Sequence, residues 1–331
     1  MPTTAAEEAD VVSSTSGRAV LLDASALGDC CEATSGRAGA RFEMLSVLSI
    51  GMLGRMETTT VTRTDRPTTA DRVRQACVLV GAVVAIVGAA AGSGAFGGQA
   101  IADAAGGALS ATATPVAPDT PAFSIWSAIY LGLAVVAVAQ ALPGQATNPR
   151  LRATAWWILA SMLLNALWIA VVQLGSLVAS VLVILGLLAV LCVVFVTLVR
   201  NPPRGFVDAT TDVTIGLYLG WVSVATLADI AAFLSDAGAG ELVLGATAWS
   251  VILMAAAAAL ALAYAVYGRR RPTVVVPVGL AMGWGLAWIS VGRAQGPLEN
   301  GTVAVAAAIA SAVALLGCLV IPAVGRNARS A

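Results

Sequence analysis

The chain has 331 residues, of which 59% are hydrophobic and only 11% charged, and its mean hydropathy is +0.88. That composition excludes an ordinary soluble domain, and equal numbers of basic and acidic residues, 18 each, leave no basic surface for nucleic acid. Every basic residue is arginine and histidine is absent, so the usual proton shuttle and the commonest metal ligand are both missing.

Residues 1–75 are rich in Thr, Ser, Gly, Ala, Asp and Arg with weak periodicity. Such a segment cannot bury enough apolar surface to offset its ordering entropy, and the composition predicts a largely disordered tail. The apolar patch Met44 to Leu53 is too short to span a bilayer. We hypothesise that translation starts at Met56, because the residues after it read as a compact polar lead into the first span. N-terminal sequencing that returned a peptide upstream of Met56 would rule this out. Acidic residues near Met1 replace the basic region of a cleavable signal peptide.

Eight apolar stretches follow, at about 76–94, 121–142, 153–174, 176–199, 210–235, 242–266, 273–290 and 302–324. Each approaches the roughly 20 residues that cross a bilayer as a helix. The fold class expected is therefore all-α: a polytopic helix bundle with membrane lipid as its surroundings. In the first span, Gly88 and Gly92 are spaced for close helix approach, as packing within the bundle or as the face of a homodimer. The connection 95–120 is long, rich in Gly and Ala, and ends in a proline-rich run; such loops are often lids. Span two opens with Pro121 in its first turn and puts Trp126 and Tyr130 four apart on one face. Span three carries Trp156, Trp157, Asn165 and Trp168, and span five carries Tyr218, Trp221 and Asp229. Spans four, six and eight are nearly featureless and are expected to face lipid or fill the bundle. Span seven brings Trp284 and Trp288, with Pro277 placed to kink it. The five cysteines show no C-x-x-C spacing, so neither a disulfide framework nor a structural metal is expected.

Charge supports the same count. Thirteen arginines, at 63, 66, 72, 74, 150, 152, 200, 204, 269, 270, 271, 326 and 329, fall on one side of an eight-span chain. The opposite connections hold Asp103, Asp119, Asp236, Glu241 and Glu299 with the single arginine Arg293. The positive-inside rule then predicts an integral, multi-pass protein of a plasma or inner membrane with both termini cytoplasmic. The run Arg269 to Arg271 reads as a topology determinant.

Helix direction now sets depth. At 1.5 Å per residue, Trp126, Trp168 and Asp229 lie about 8–9 Å below the outer face, and Tyr130 and Asn165 about 14 Å. Polar and aromatic groups of three helices thus share one outer layer. Plainer roles exist for each. Tryptophans near span ends form interfacial belts, the simpler reading for Trp249 and Trp288. Asn165 serves equally as a bond between helices, an interaction averaging roughly 0.6 kcal/mol. An ionised acid at the depth of Asp229 costs on the order of a few kcal/mol unless paired, protonated or wet, and Arg293 is the one cation on its side.

The stretches P-A-F-S-I-W-S-A-I-Y-L-G at 121–132, N-A-L-W-I at 165–169 and Y-L-G-W-V-S-V-A-T-L-A-D at 218–229 resemble the tryptophan-rich sensory protein family, TspO/MBR or translocator proteins. The three motifs fall in the family's order, on the second, third and fifth spans, over roughly residues 76–235. The resemblance implies a five-helix core enclosing a pocket for porphyrin, haem-like tetrapyrroles or sterols, capped by the loop between the first two helices. It assigns the pocket to Trp126, Tyr130, Asn165, Trp168, Tyr218, Trp221 and Asp229, with 95–120 as the lid. Two departures stand out: three further spans follow the core, and Asp229 occupies a position where the family usually shows asparagine. The division expected is a tail at 1–75, a TspO-like core at 76–235 and a three-helix extension at 236–331.

The function expected is binding of a hydrophobic planar ligand, tetrapyrrole or sterol-like, leading to sensing or transport. A bound tetrapyrrole would be the ligand, and no other cofactor is expected. The alternative is a proton-coupled transporter of a small molecule that uses Asp229. An enzyme that degrades porphyrin ranks last, because no nucleophile–base pair is evident.

Overall fold

The computed structural model describes residues 66–92, 99–238 and 244–327. Most of the expected tail, with Met44 to Leu53, Met56, Cys30 and Cys31, lies outside them, as do the start of the 95–120 connection and Glu241. Among the described residues eight helices are long and apolar enough to cross a membrane: α1 Thr69–Gly92, α2 Ile125–Ala141 with a 3₁₀ lead-in over Thr120–Ser124, α3 Pro149–Gln173 and α4 Leu177–Arg200. They continue as α5 Phe206–Asp236, α6 Gly245–Tyr267, α7 Pro272–Gln295 and α8 Gly301–Asn327. No strand occurs among the described residues. The fold is an all-α polytopic bundle.

The helix ends follow local chemistry. Asn148 caps α3, its side-chain oxygen accepting from the backbone N–H groups of Arg150 and Leu151, with Pro149 at the first helical position. Ser176 caps α4 through the N–H of Ala179, just after Gly175 turns the chain at φ +76°. Consecutive helices run in opposite directions. Contacts between the starts of α1, α3, α5 and α7 and the ends of α2 and α4 define one end, here the arginine end. The connections α1–α2, α3–α4, α5–α6 and α7–α8 meet at the other, the loop end.

The first helix begins at Thr69, seven residues before the expected start. Its polar first turns are not solvated. Asp71 pairs with Arg152 at 2.6 Å, Arg74 donates to the carbonyl of Ala146, and the Gln75 amide donates to the carbonyls of Gln140 and Leu142. Asp71, Arg74 and Gln75 each find a partner at the end of α2, on the α2–α3 connection or on α3, which is what permits a helix there. A second buried network ties α3, α5 and α7 at the same end. Arg150 pairs with Asp212, and Asp212 also accepts from the Thr273 hydroxyl at 2.5 Å. Arg150 further donates to the carbonyls of Asn201 and Asp208. Arg271 of the expected topology run donates to the carbonyl of Val199 at the end of α4.

The core centres on α5, which packs against α2, α4 and α7, while α1 lies on α3 and α6 leans chiefly on α8. The apolar windows of α5 and α7 are 56% and 61% buried, against 33% in α4, α6 and α8. Gly216 and Gly220, four apart on α5, make the closest approach: a β-carbon on Gly216 would lie 2.5 Å from the carbonyl oxygen of Val274, and one on Gly220 would overlap that of Val278. Small residues at this spacing bring two helix backbones together where lipid supplies no hydrophobic drive. The pair Gly88 and Gly92 behaves differently. Gly92 packs on Ile169 of α3, and Gly88 has nothing within contact distance. Pro277 sits inside α7 without ending it, in the first turns, buried opposite Gly216.

Candidate ligand site

Trp126 is the hub of an aromatic cluster. Its ring stacks on Tyr130 with centroids 5.2 Å apart and planes 20° apart, and meets Tyr218 and Trp221 edge-on at 5.9 and 6.3 Å. Phe123, in the 3₁₀ turn that leads into α2, closes on Trp221 at 5.6 Å. These are the offset and edge-to-face arrangements that aromatic quadrupoles favour. The spacing of Phe123, Trp126 and Tyr130 presents all three rings on one face of α2, and α5 answers with Tyr218 and Trp221.

Polar groups fix the surroundings. The Asn165 amide donates to the Tyr130 hydroxyl at 3.0 Å, and the Tyr218 hydroxyl donates to the carbonyl of Ser161 at 3.0 Å. Asp229 is 1% exposed and accepts from the Trp168 indole N–H at 3.2 Å and from the Ser180 hydroxyl at 3.0 Å. One acid therefore joins α3, α4 and α5. Asp229 does not pair with Arg293, the one candidate cation on its side in the sequence. Arg293 is 1% exposed and donates instead to the carbonyls of Ala111, at 2.7 Å, and Thr114, at 3.2 Å, in the α1–α2 connection. Those carbonyls belong to irregular backbone at the loop end, where a fixed guanidinium replaces the hydrogen bonds a helix would supply.

A cavity of about 300 Å³ opens beside the cluster, walled by Phe123, Trp126, Tyr130, Trp168 and Ile169 and roofed by residues 100–102, 111 and 120. A smaller chamber of about 40 Å³ lies behind Trp168, lined by Ile101, Phe123, Trp221 and Asp229. Two buried polar atoms nearby have no partner among the described residues, the Asn165 side-chain oxygen and the Trp221 indole nitrogen. Buried polar groups are normally satisfied, so each is a potential contact for a bound molecule.

The seven residues singled out in the sequence all lie in this region. Trp126, Tyr130 and Trp168 line the larger cavity, Trp168, Trp221 and Asp229 the smaller, and Asn165 and Tyr218 support the walls from behind. Trp156 and Trp157 do not join them, being about half exposed on α3. The sequence reading missed Phe123, although it sits inside the second-span motif, and Ser180, which no motif marks. It also missed how α7 reaches the roof. Besides Arg293, the Trp284 indole donates to the carbonyl of Ala122 at 2.9 Å, and the Asp119 N–H donates to the carbonyl of Trp288. Trp284 and Trp288 touch each other edge-on at 5.6 Å, forming an aromatic pair of their own beside the start of α2.

Comparison with curated proteins and comparison with solved structures each return no match. A family model described as TSPO-like protein matches residues 75–320, beyond the stretch that carries the motifs and through α6, α7 and most of α8. Eight apolar helices, the three motifs on α2, α3 and α5, and a match over most of the sequence lead to one conclusion: this chain is an integral, multi-pass membrane protein that belongs to the TSPO-like protein family.

Proposed function

We propose that the chain binds a hydrophobic, planar or sterol-like ligand in the aromatic cavity at the loop end, and that sensing or transport follows from that binding. The observation that carries this reading is the cavity of about 300 Å³ between the faces of Trp126, Tyr130 and Trp168 and the connection that roofs it. Ligand pockets are typically ~300–1,000 Å³ and mostly apolar with few polar groups. A flat ligand gains area burial and stacking there. Volume and charge narrow the class. At the lower bound of that range, a full tetrapyrrole needs the roof to lift. Among the described residues the lining holds no cation, and Arg293 is already engaged with backbone carbonyls. Carboxylates on a porphyrin would have to point out through the loop end, whereas an uncharged planar or sterol-like molecule fits without that requirement. By the positive-inside rule the arginine end is cytoplasmic, which puts the cavity toward the outer face of the membrane.

The test is a tryptophan-quenching titration of the purified protein in detergent with protoporphyrin, haem and a sterol, beside a Trp126→Phe, Trp168→Phe double variant. Saturable quenching that weakens in the variant supports the reading. Linear quenching that the variant does not change overturns it.

A second reading, proton-coupled transport through Asp229, is favoured by one observation. The acid is buried beside a chamber and both of its described partners are neutral donors. It requires substrate uptake driven by a pH gradient and abolished in Asp229→Asn; uptake that survives the substitution removes it.

A further inference from the structure

We infer that the protein has a second ligand site, separate from the aromatic cavity, which takes an uncharged amphiphile with a slender apolar body and a hydroxyl head. The site is a cavity of about 280 Å³ walled by Ile230 and Leu234 of α5 and Trp249 and Leu253 of α6, and closed by Pro115 and Val116 of the α1–α2 connection. Its origin is in the packing. The sixth helix leans on α8 more than on α5, and the gap this leaves is closed by residues 114–116 of the connection, whose Thr114 carbonyl accepts from Arg293. Leu234 and Trp249 are about two-fifths exposed and form the mouth.

The chemistry of the lining selects the occupant. Among the described residues no charged side chain contributes to it, and an ionised head group set against these residues would be an unpaired charge in apolar surroundings, which is expensive. Ser250 spends its hydroxyl on the carbonyl of Ala246. Thr114 is different: it is 3% exposed, it lines the cavity, and its hydroxyl oxygen has no hydrogen-bond partner among the described residues. A buried hydroxyl left unsatisfied costs about 1–3 kcal/mol, and a hydroxyl on a ligand can both donate to it and accept from it. An apolar wall with one buried, unpaired hydroxyl matches a neutral lipid-like alcohol. Thr114 also borders the small chamber beside Asp229, so the occupant of the second site would press on the wall of the first.

The experiment is photo-labelling of the purified full chain in detergent with a diazirine-bearing long-chain alcohol, read by peptide mapping, with plain 1-decanol and decane as competitors. Labelling is expected to saturate, to concentrate on peptides that contain Ile230 to Leu234 and Trp249 to Leu253, and to yield to decanol about tenfold more readily than to decane. Thr114→Val should erase that preference, because it keeps the shape and removes the hydroxyl. Ala231→Phe should block the cavity, and Ala246→Trp, at an exposed rim position, does so without touching the core. The Trp126→Phe, Trp168→Phe double variant should leave the labelling intact, which separates failure of this site from failure of the aromatic cavity. Labelling spread evenly over lipid-facing helices, equal competition by decanol and decane, or labelling unchanged by both blocking variants would overturn the inference.

Discussion

Arg293 near the end of α7 donates to the carbonyl of Thr114, 3.2 Å away and 179 residues earlier in the chain. With the bond to Ala111 it pins the connection that roofs the aromatic cavity, and the arginine doing so comes from α7, beyond the helices that carry the three motifs. The seventh helix thereby acts on the proposed site without lining it.

Replacing Arg293 by Gln should free the roof. The carbonyls of Ala111 and Thr114 lose a charge-assisted donor worth roughly 1.5–3 kcal/mol, a local loss that unties the loop before it unfolds the bundle. Hydrogen exchange in the 99–119 peptide should rise by at least about tenfold while exchange in α3 and α5 stays slow. Unchanged exchange in that peptide would mean that other contacts, such as Trp284 to Ala122, hold the roof alone.

Asp229→Asn should leave ligand affinity within about threefold of the parent, because asparagine can retain both bonds. Its oxygen accepts from the Trp168 indole, and its amide donates to the Ser180 hydroxyl, which then turns from donor to acceptor. Asp229→Leu removes both partners at once and should let the Trp168 ring move, weakening quenching by about tenfold, the equivalent of roughly 1.4 kcal/mol. An asparagine variant that binds as poorly as the leucine variant would show that the negative charge itself is required.

At the arginine end, Asp212→Ala should be the most destabilising single change of those considered. It leaves the Arg150 guanidinium, 4% exposed, facing a hole where its carboxylate was, and breaking a buried pair on one side costs about 3–5 kcal/mol. A thermal melt in detergent should show a marked drop, with Asp212→Asn intermediate because it keeps a hydrogen-bond acceptor. A melt within error of the parent would mean that water reaches the pair.

Gly220→Val tests the seam between α5 and α7. A side chain there meets the carbonyl of Val278 and the methyl of Ala281, and the two helices must part or tilt, a cost of about 1–3 kcal/mol from overpacking. Because α7 carries Arg293, Trp284 and Trp288, the same variant should loosen the roof, visible as faster exchange at 99–119 together with a lower melting midpoint. Gly88→Val is the control, since nothing lies within 4 Å of a β-carbon there.

The eight spans were legible because a bilayer imposes a length and a composition that any sequence window reveals, and the arginine alternation counted them a second time. The start of α1 was misread for the opposite reason. Asp71, Arg74 and Gln75 look like a solvated tail until Arg152, Ala146 and Gln140 are seen beside them, and nothing local announces partners 65 to 81 residues away. The convergence of Trp126, Tyr130, Asn165, Trp168, Tyr218, Trp221 and Asp229 was also readable, since helix direction and rise convert positions into depths. Glycine spacing misled in part. Gly88 and Gly92 drew notice, yet it is Gly216 and Gly220 that meet another backbone, because spacing marks a helix face and not the neighbour it will find.

By itself the sequence determined the eight apolar spans found among the described residues and the alternation of the arginines between their connections, both one-dimensional consequences of apolar length and charge. Only the tertiary structure decided the pairings: Arg293 with the connection instead of with Asp229, Asp229 with Trp168 and Ser180, and the gap between α5 and α6 that the connection closes. Pairing depends on which helix faces meet and at what distance. In a bundle surrounded by lipid that is settled by small residues and buried hydrogen bonds acting across the whole chain, a choice no local window contains.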